Sequence, residues 1–263
     1  MTIHGFTAAL EYRLRHAELF ILDTYGHTVS IENKRKPLTK FGRNSDLGTS
    51  EETVWLVGGT ETYATDNDII SISSSDDTDT QSVVIEGHTV SGGNLTFVSQ
   101  TVTMTGQTEK ALTTPLYRAT RLYNAGATNF AGTVYVYESD TVTDGVPQTA
   151  SKIHIRTDGT NNQSLKCATS LSSVDYWIIT HVSASVLRQT AAAADLKLQV
   201  RESGGVFRTL YPFSVHTNSG VVQISFDPCL VVRPNSDIRL QATASTTSVQ
   251  VEGAIHGYLA SIS

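Results

Sequence analysis

Charge is scarce in this chain, and cysteine, methionine and tryptophan are scarcer. Only 17% of its 263 residues are charged, 19 Lys and Arg against 25 Asp and Glu, for a formal net charge of -6. So low a charged fraction excludes a disordered acidic tail, and 19 Gly with 6 Pro exclude a collagenous or Pro-rich polymer. Two cysteines, Cys167 and Cys229, cannot build a disulfide framework or a four-ligand zinc cage. One bridge is the most they can form, and two buried free thiols acting as small hydrophobes is the expectation. No apolar run approaches the ~18 residues of a membrane span, and MTIHGFTAALEYRLRH lacks the basic-then-apolar order of a signal peptide. A soluble product made in a cytoplasm, with no membrane partner, is therefore expected. Nucleophile-elbow, P-loop, H-E-x-x-H and C-x-x-C motifs are all missing. The reading is of a non-enzymatic chain without cofactor or metal.

Hydroxyls take the place of the missing charge. Thr and Ser make up about a quarter of the residues, interleaved with Val, Ile and Tyr as in β-strands. Period-two alternation runs through 68–74, 82–86, 95–104, 117–123, 133–137 and 152–156, with Gly and Asx turns such as Gly92-Gly93, Asp144-Gly145 and Asp158-Gly159 between. A second set follows at 176–185, 195–202, 206–213, 221–226, 229–232, 237–244 and 248–261, with Gly204-Gly205 as a hairpin turn. Pro228 and Pro234 bracket the 229–232 run and would confine its ends to sheet edges or loops. The expected fold is all-β, two antiparallel β-sandwich or jelly-roll-like domains at 44–160 and 161–263 behind an N-terminal arm at 1–43. Within the arm, Phe6 to Phe20 fits a short amphipathic helix, and Leu10, Tyr12 and Leu14 fit an alternating strand equally well.

Candidate chemistry is thin. The eight histidines are scattered singly, and His154 and His181 sit inside alternating strands, where packed or solvent-facing histidines are the rule. Asp76, Asp77 and Asp79 crowd one turn, where a solvated Asx-rich turn outweighs a calcium site. Lys34, Arg35, Lys36, Lys40 and Arg43 place five of the 19 basic residues in ten positions. That run reads as a solvated linker ending at Pro37 or as an arm docking on an acidic partner surface. Nucleic acid is disfavoured as a partner by the negative net charge. Tyr123, Phe130 and Tyr211 are loop aromatics that a glycan site could use.

Phe41-Gly42-Arg43-Asn44, then Asp46, Glu51-Glu52, Trp55 and Gly58-Gly59-Thr60, resemble a group of tailed-bacteriophage virion structural proteins. The order continues with Ile70 to Ser75, Val83 to Gly87, Val102 to Gly106, Gly132 to Val136, Arg201 to Arg208 and Leu240 to Ala244, so the likeness spans about residues 41 to 260. Residues 1 to 33 fall outside the pattern, and Ser172 to Asp175 stand where relatives have a Pro-Gly turn. The resemblance implies a virion component on the capsid exterior, most simply a decoration or cement protein. Its partners would then be the major capsid protein and further copies of itself, with a trimer as the simplest closed oligomer. The alternative is a tail, neck or fibre component that contacts a receptor or glycan on the host surface.

Overall fold

The computed structural model of the chain describes residues 19–22, 28–31, 35–187 and 191–261. The helix-or-strand alternative at Phe6 to Phe20 lies outside them, except that Leu19 and Phe20 belong to a strand, Leu19–Leu22, paired in a hairpin with Thr28–Ile31. Every other regular element is a strand or a three-residue 3-10 turn, and every strand pairing is antiparallel. Among the described residues no helix is long and apolar enough to cross a membrane.

The chain is all-β and its sheets stack as sandwiches. One sheet is ordered Ile153–Arg156, Val134–Glu138, Ile69–Ser74 and Lys110–Leu116. It faces a second sheet of Asn94–Thr103, Ser82–Ser91 and Arg118–Asn124. Alternation puts Ile69, Ile72 and Val136 from the first and Val83, Ile85 and Leu122 from the second into one core. The other sandwich sets Val221–Val232, Asp175–Leu187, Val249–Ser261 and Arg35–Leu47 against Ala168–Ser170, Ser236–Ala244, Ala193–Glu202 and Arg208–His216. Its larger core is built around Trp177, Ile179, Val251, Leu196 and Leu240. The runs expected at 221–226 and 229–232 are one strand, and Pro228 is tolerated because that strand is a sheet edge.

The division of the chain differs from the expected one. Residues 35–47 are not part of an arm: they pair along Val249–Ser261 from Arg35↔Ala260 to Leu47↔Val249 and so complete the C-terminal sandwich. A boundary at residue 43 would cut through this strand. Glu52–Thr53 and Ala168–Ser170 both pair with Ser236–Ala244, at Gln241↔Thr53 and Ala168↔Arg239. The first sandwich is therefore an insertion whose entry and exit lie end to end on one strand. The backbone closes that point: Val54 N–H donates to Leu240 O, Leu240 N–H to Cys167 O, and Cys167 N–H to Val54 O, each at 2.9 Å.

The residues that carried the resemblance converge here. Gly42 lies against the closure so tightly that a Cβ would stand 2.3 Å from Cys167 N and Val54 O, which excludes any larger residue without backbone movement. Asn44 Nδ2 donates to Glu52 Oε2 at 2.9 Å, and Glu52 also accepts from Gly48 N–H at 3.0 Å and Gly59 N–H at 2.9 Å. Trp55 Nε1 donates to Gly58 O and Gly59 O. Phe-Gly-Arg-Asn, Glu52, Trp55 and the Gly pair thus form one knot joining the edge strand to the start of the insertion.

Candidate functional site at the junction of the two sandwiches

The two sandwiches meet in a layer of buried charge. Asp237 extends from Ser236–Ala244 and Arg118 from the first sandwich, and the two are 4% and 6% exposed. Arg118 Nε donates to Asp237 Oδ1 at 3.0 Å and its Nη2 to Oδ2 at 3.2 Å, a bidentate fork. Arg201 Nε donates to Oδ2 at 2.8 Å, and the Ser170 hydroxyl donates to Oδ1 at 2.5 Å. Burial alone would raise the Asp237 carboxyl, but the Arg118 charge and hydrogen bond, with Arg201 and Ser170, hold it below its ordinary value. Rings alternate with these guanidiniums. Arg118 lies 3.7 Å from the Tyr117 centroid and 4.8 Å from Tyr63, Arg201 3.9 Å from Tyr63, and Arg239 3.7 Å from Phe207.

A second buried pair lies beside it. Lys166 Nζ is 2.5 Å from Glu61 Oε1 and also donates to Ala119 O at 2.9 Å and His154 O at 3.1 Å, so its three protons are all used. Lys166 lies on the segment leading out of the insertion and both carbonyls on the insertion's strands, so the pair secures that exit segment to the first sandwich. Further bonds run from Leu95 N–H to Asn235 Oδ1 at 2.9 Å and from Ser173 N–H to Leu95 O at 2.8 Å. The arrangement is a clamp. Its charges are spent on one another rather than aimed at a reacting atom.

The basic run is dispersed by the strand that carries it. Lys34 lies outside the described residues, and Arg35 is placed only by its backbone pairing with Ala260. Lys36 is exposed, Lys40 is buried against the insertion, and Arg43 is held by Glu252, Nε and Nη2 both at 2.8 Å from Oε1, with Asp158 at 3.9 Å. Alternation puts Arg43 on the opposite side from Lys36 and Lys40, and Lys40 is buried, so the described members do not form one exposed cationic face.

Other sequence candidates are also scattered. Phe130 is in the core of the insertion, Tyr123 stacks under Arg121 at 4.6 Å, and Tyr211 packs on Phe226 at 5.3 Å in the other sandwich. Asp79 is buried rather than solvated, accepting from Ala131 N–H at 2.7 Å, Gly132 N–H at 3.0 Å and the Ser74 hydroxyl at 2.5 Å. Among the described residues no group of three or more His, Cys, Asp or Glu could hold a metal ion. Both cysteines are free, Cys167 buried and Cys229 partly so. His154 is packed, its Nε2 2.8 Å from Glu138 Oε1 and its imidazole pushed down to about 3 by burial. Sequence reasoning missed Arg118, Lys166 and Asp237, since isolated charges in alternating strands look like solvent-facing positions.

Lys40 gives a measurable consequence. Burial lowers its ammonium from 10.5 to about 8. Between those values the unfolded chain holds a proton that the folded chain has released, so stability rises with pH across this window. The contribution is fully present above 10.5 and is lost as pH falls through about 8. We expect urea-unfolding free energies of the parent to gain roughly 3 kcal/mol over this range relative to Lys40→Met, whose profile lacks the slope. Parallel profiles would mean that the amine stays hydrated.

No family model matches the sequence, and no curated protein matches it. Solved structures of infectious bursal disease virus show a weak likeness. The VP2 subviral particle is 10% identical with a TM-score of 0.21, over 90% of this chain and 73% of that chain. The Gt strain structure is 9% identical with a TM-score of 0.17, over 88% and 73% respectively.

Proposed function

We propose that this chain is a non-enzymatic structural component of a tailed-bacteriophage virion, a decoration protein that binds the major capsid protein from outside and bridges capsomers. The observation that carries the reading is a double sheet edge, unpaired among the described residues. Arg208–His216 and Val221–Val232 are terminal strands of the two stacked sheets and are joined by the turn Thr217–Ser219. Along them Tyr211, Phe213, Ile224 and Phe226 pack on the core while remaining only partly buried, and Val221 is 72% exposed. Unpaired edges with apolar side chains are normally blunted in a solitary protein and serve assembly when they are not. The buried clamp keeps the second sandwich in fixed relation to this edge, as bridging requires. The ordered likeness at residues 41 to 260 supports the same reading, because its first motif is the knot that sets the chain's connectivity.

Repeated copies give avidity to modest individual contacts, and a closed cyclic oligomer, with a trimer as the simplest case, would cap such edges. Quantitative mass spectrometry of gradient-purified particles tests the proposal. Several hundred copies per particle are expected. About a dozen copies would replace it with a tail, neck or fibre role, and absence from particles would end the virion reading.

A further inference from the structure

A groove of about 390 Å³ opens between the sandwiches beside Lys40, within the size class that holds a small ligand. Two buried polar groups on its wall are not fully partnered. Lys40, 8% exposed, makes one hydrogen bond, to Thr120 O at 3.4 Å, although an ammonium has three protons to donate. Glu86, a carboxylate on the same groove, is occupied by Arg121 at 3.6 Å. His88 is 4% exposed and its Nδ1 has no partner. Unpaired buried polar atoms are costly, and the spare protons of the Lys40 ammonium mark a place for an acceptor supplied from outside. Next to them Phe97 stands 52% exposed, edge-on to the His88 ring at 5.7 Å. On the same groove Asp175 accepts from the Ser172 and Ser261 hydroxyls, each at 2.5 Å, and keeps lone pairs free.

We infer that this groove binds an acidic monosaccharide unit, a uronic or sialic acid of a surface glycan. The sugar carboxylate meets Lys40, the apolar ring face covers Phe97, and ring hydroxyls donate to Asp175. The acidic-peptide alternative fits less well, because Asp175 repels further carboxylates. The inference does not depend on where in a particle the chain resides, since binding is read on the isolated protein.

Saturation-transfer NMR and calorimetry on the full chain, with D-glucuronate, N-acetylneuraminate, D-glucose, acetate and oligoglutamate as probes, test it. Expected are transfer to ring protons of at least one acidic sugar, none to glucose, and affinity tenfold or more lower in Lys40→Met. Phe97→Ala, at an exposed position, should weaken binding several-fold with unfolding unchanged, and it keeps the test decisive if Lys40→Met folds poorly. No binding of either acidic sugar would overturn the inference. So would glucose or acetate binding as well as the acidic sugars, oligoglutamate alone binding, or affinity unchanged in both variants.

Discussion

Replacing Asp237 by Ala is expected to lower the unfolding free energy by about 3–5 kcal/mol, the cost of leaving buried cations without their counter-charge. Arg118 is 6% exposed and directs both Nε and Nη2 at this carboxylate, so the variant strands a largely buried guanidinium. Ala64 O and Tyr117 O still accept from Nη1, at 2.9 and 2.8 Å, and cannot replace the lost charge. Arg118→Met should cost a comparable amount, and the double variant less than the sum, because each single change leaves the other charge unpaired. Urea unfolding of the four proteins measures this. Additive losses would show that the pair is not coupled. The pH dependence has a definite sign: the folded carboxyl lies below its ordinary value, so its stabilisation is present above about pH 4 and is lost as pH falls through the folded value. The gap between parent and Asp237→Ala should therefore narrow only in acid.

Most of the β-structure was legible because half-buried strands leave a period-two record. The run read at 82–86 lies in Ser82–Ser91, 133–137 nearly coincides with Val134–Glu138, and 237–244 lies in Ser236–Ala244. The missed strands are mostly edges. Arg35–Leu47 contains Pro37, Gly42 and several cations, and Lys110–Leu116 contains Pro115; each borders its sheet, where one side of the backbone needs no partner and charge deters aggregation. Composition consistent with a linker is equally consistent with a sheet edge. The clamp was illegible for another reason. Lys166, Arg118 and Asp237 are ordinary polar residues in sequence, and only the insertion of one sandwich into another brings 118 and 237 to hydrogen-bond distance. Insertion itself leaves no local signal, because entry at Glu52–Thr53 and exit at Ala168–Ser170 are two short pairings on a distant strand.

Two truncations separate an edge strand from an arm. A chain lacking residues 1–33 should unfold cooperatively near the parent, because Arg35–Leu47 remains intact. A chain lacking residues 1–40 loses the pairings from Arg35↔Ala260 to Lys40↔Ile255, and with them Leu38, which packs on the C-terminal core. Losing a Leu side chain costs about 1.5–3 kcal/mol and each lost backbone bond about 1 kcal/mol. The sum, roughly 5 kcal/mol or more, is comparable with the whole stability of an ordinary domain. Loss of Lys40 also removes the carbonyl that the Cys167 Sγ–H approaches at 3.5 Å, next to the point where the insertion closes. Residues 255–260 of Val249–Ser261 would then become an open edge of the kind that recruits other chains. The expected result is an aggregated product, or a folded insertion with an unfolded C-terminal unit, detected by limited proteolysis and by loss of Trp177 burial in fluorescence. A soluble, cooperatively folding 41–263 chain would restore the reading of residues 1–43 as a detachable arm, and the knot at Gly42 would then have to hold without the strand that leads into it.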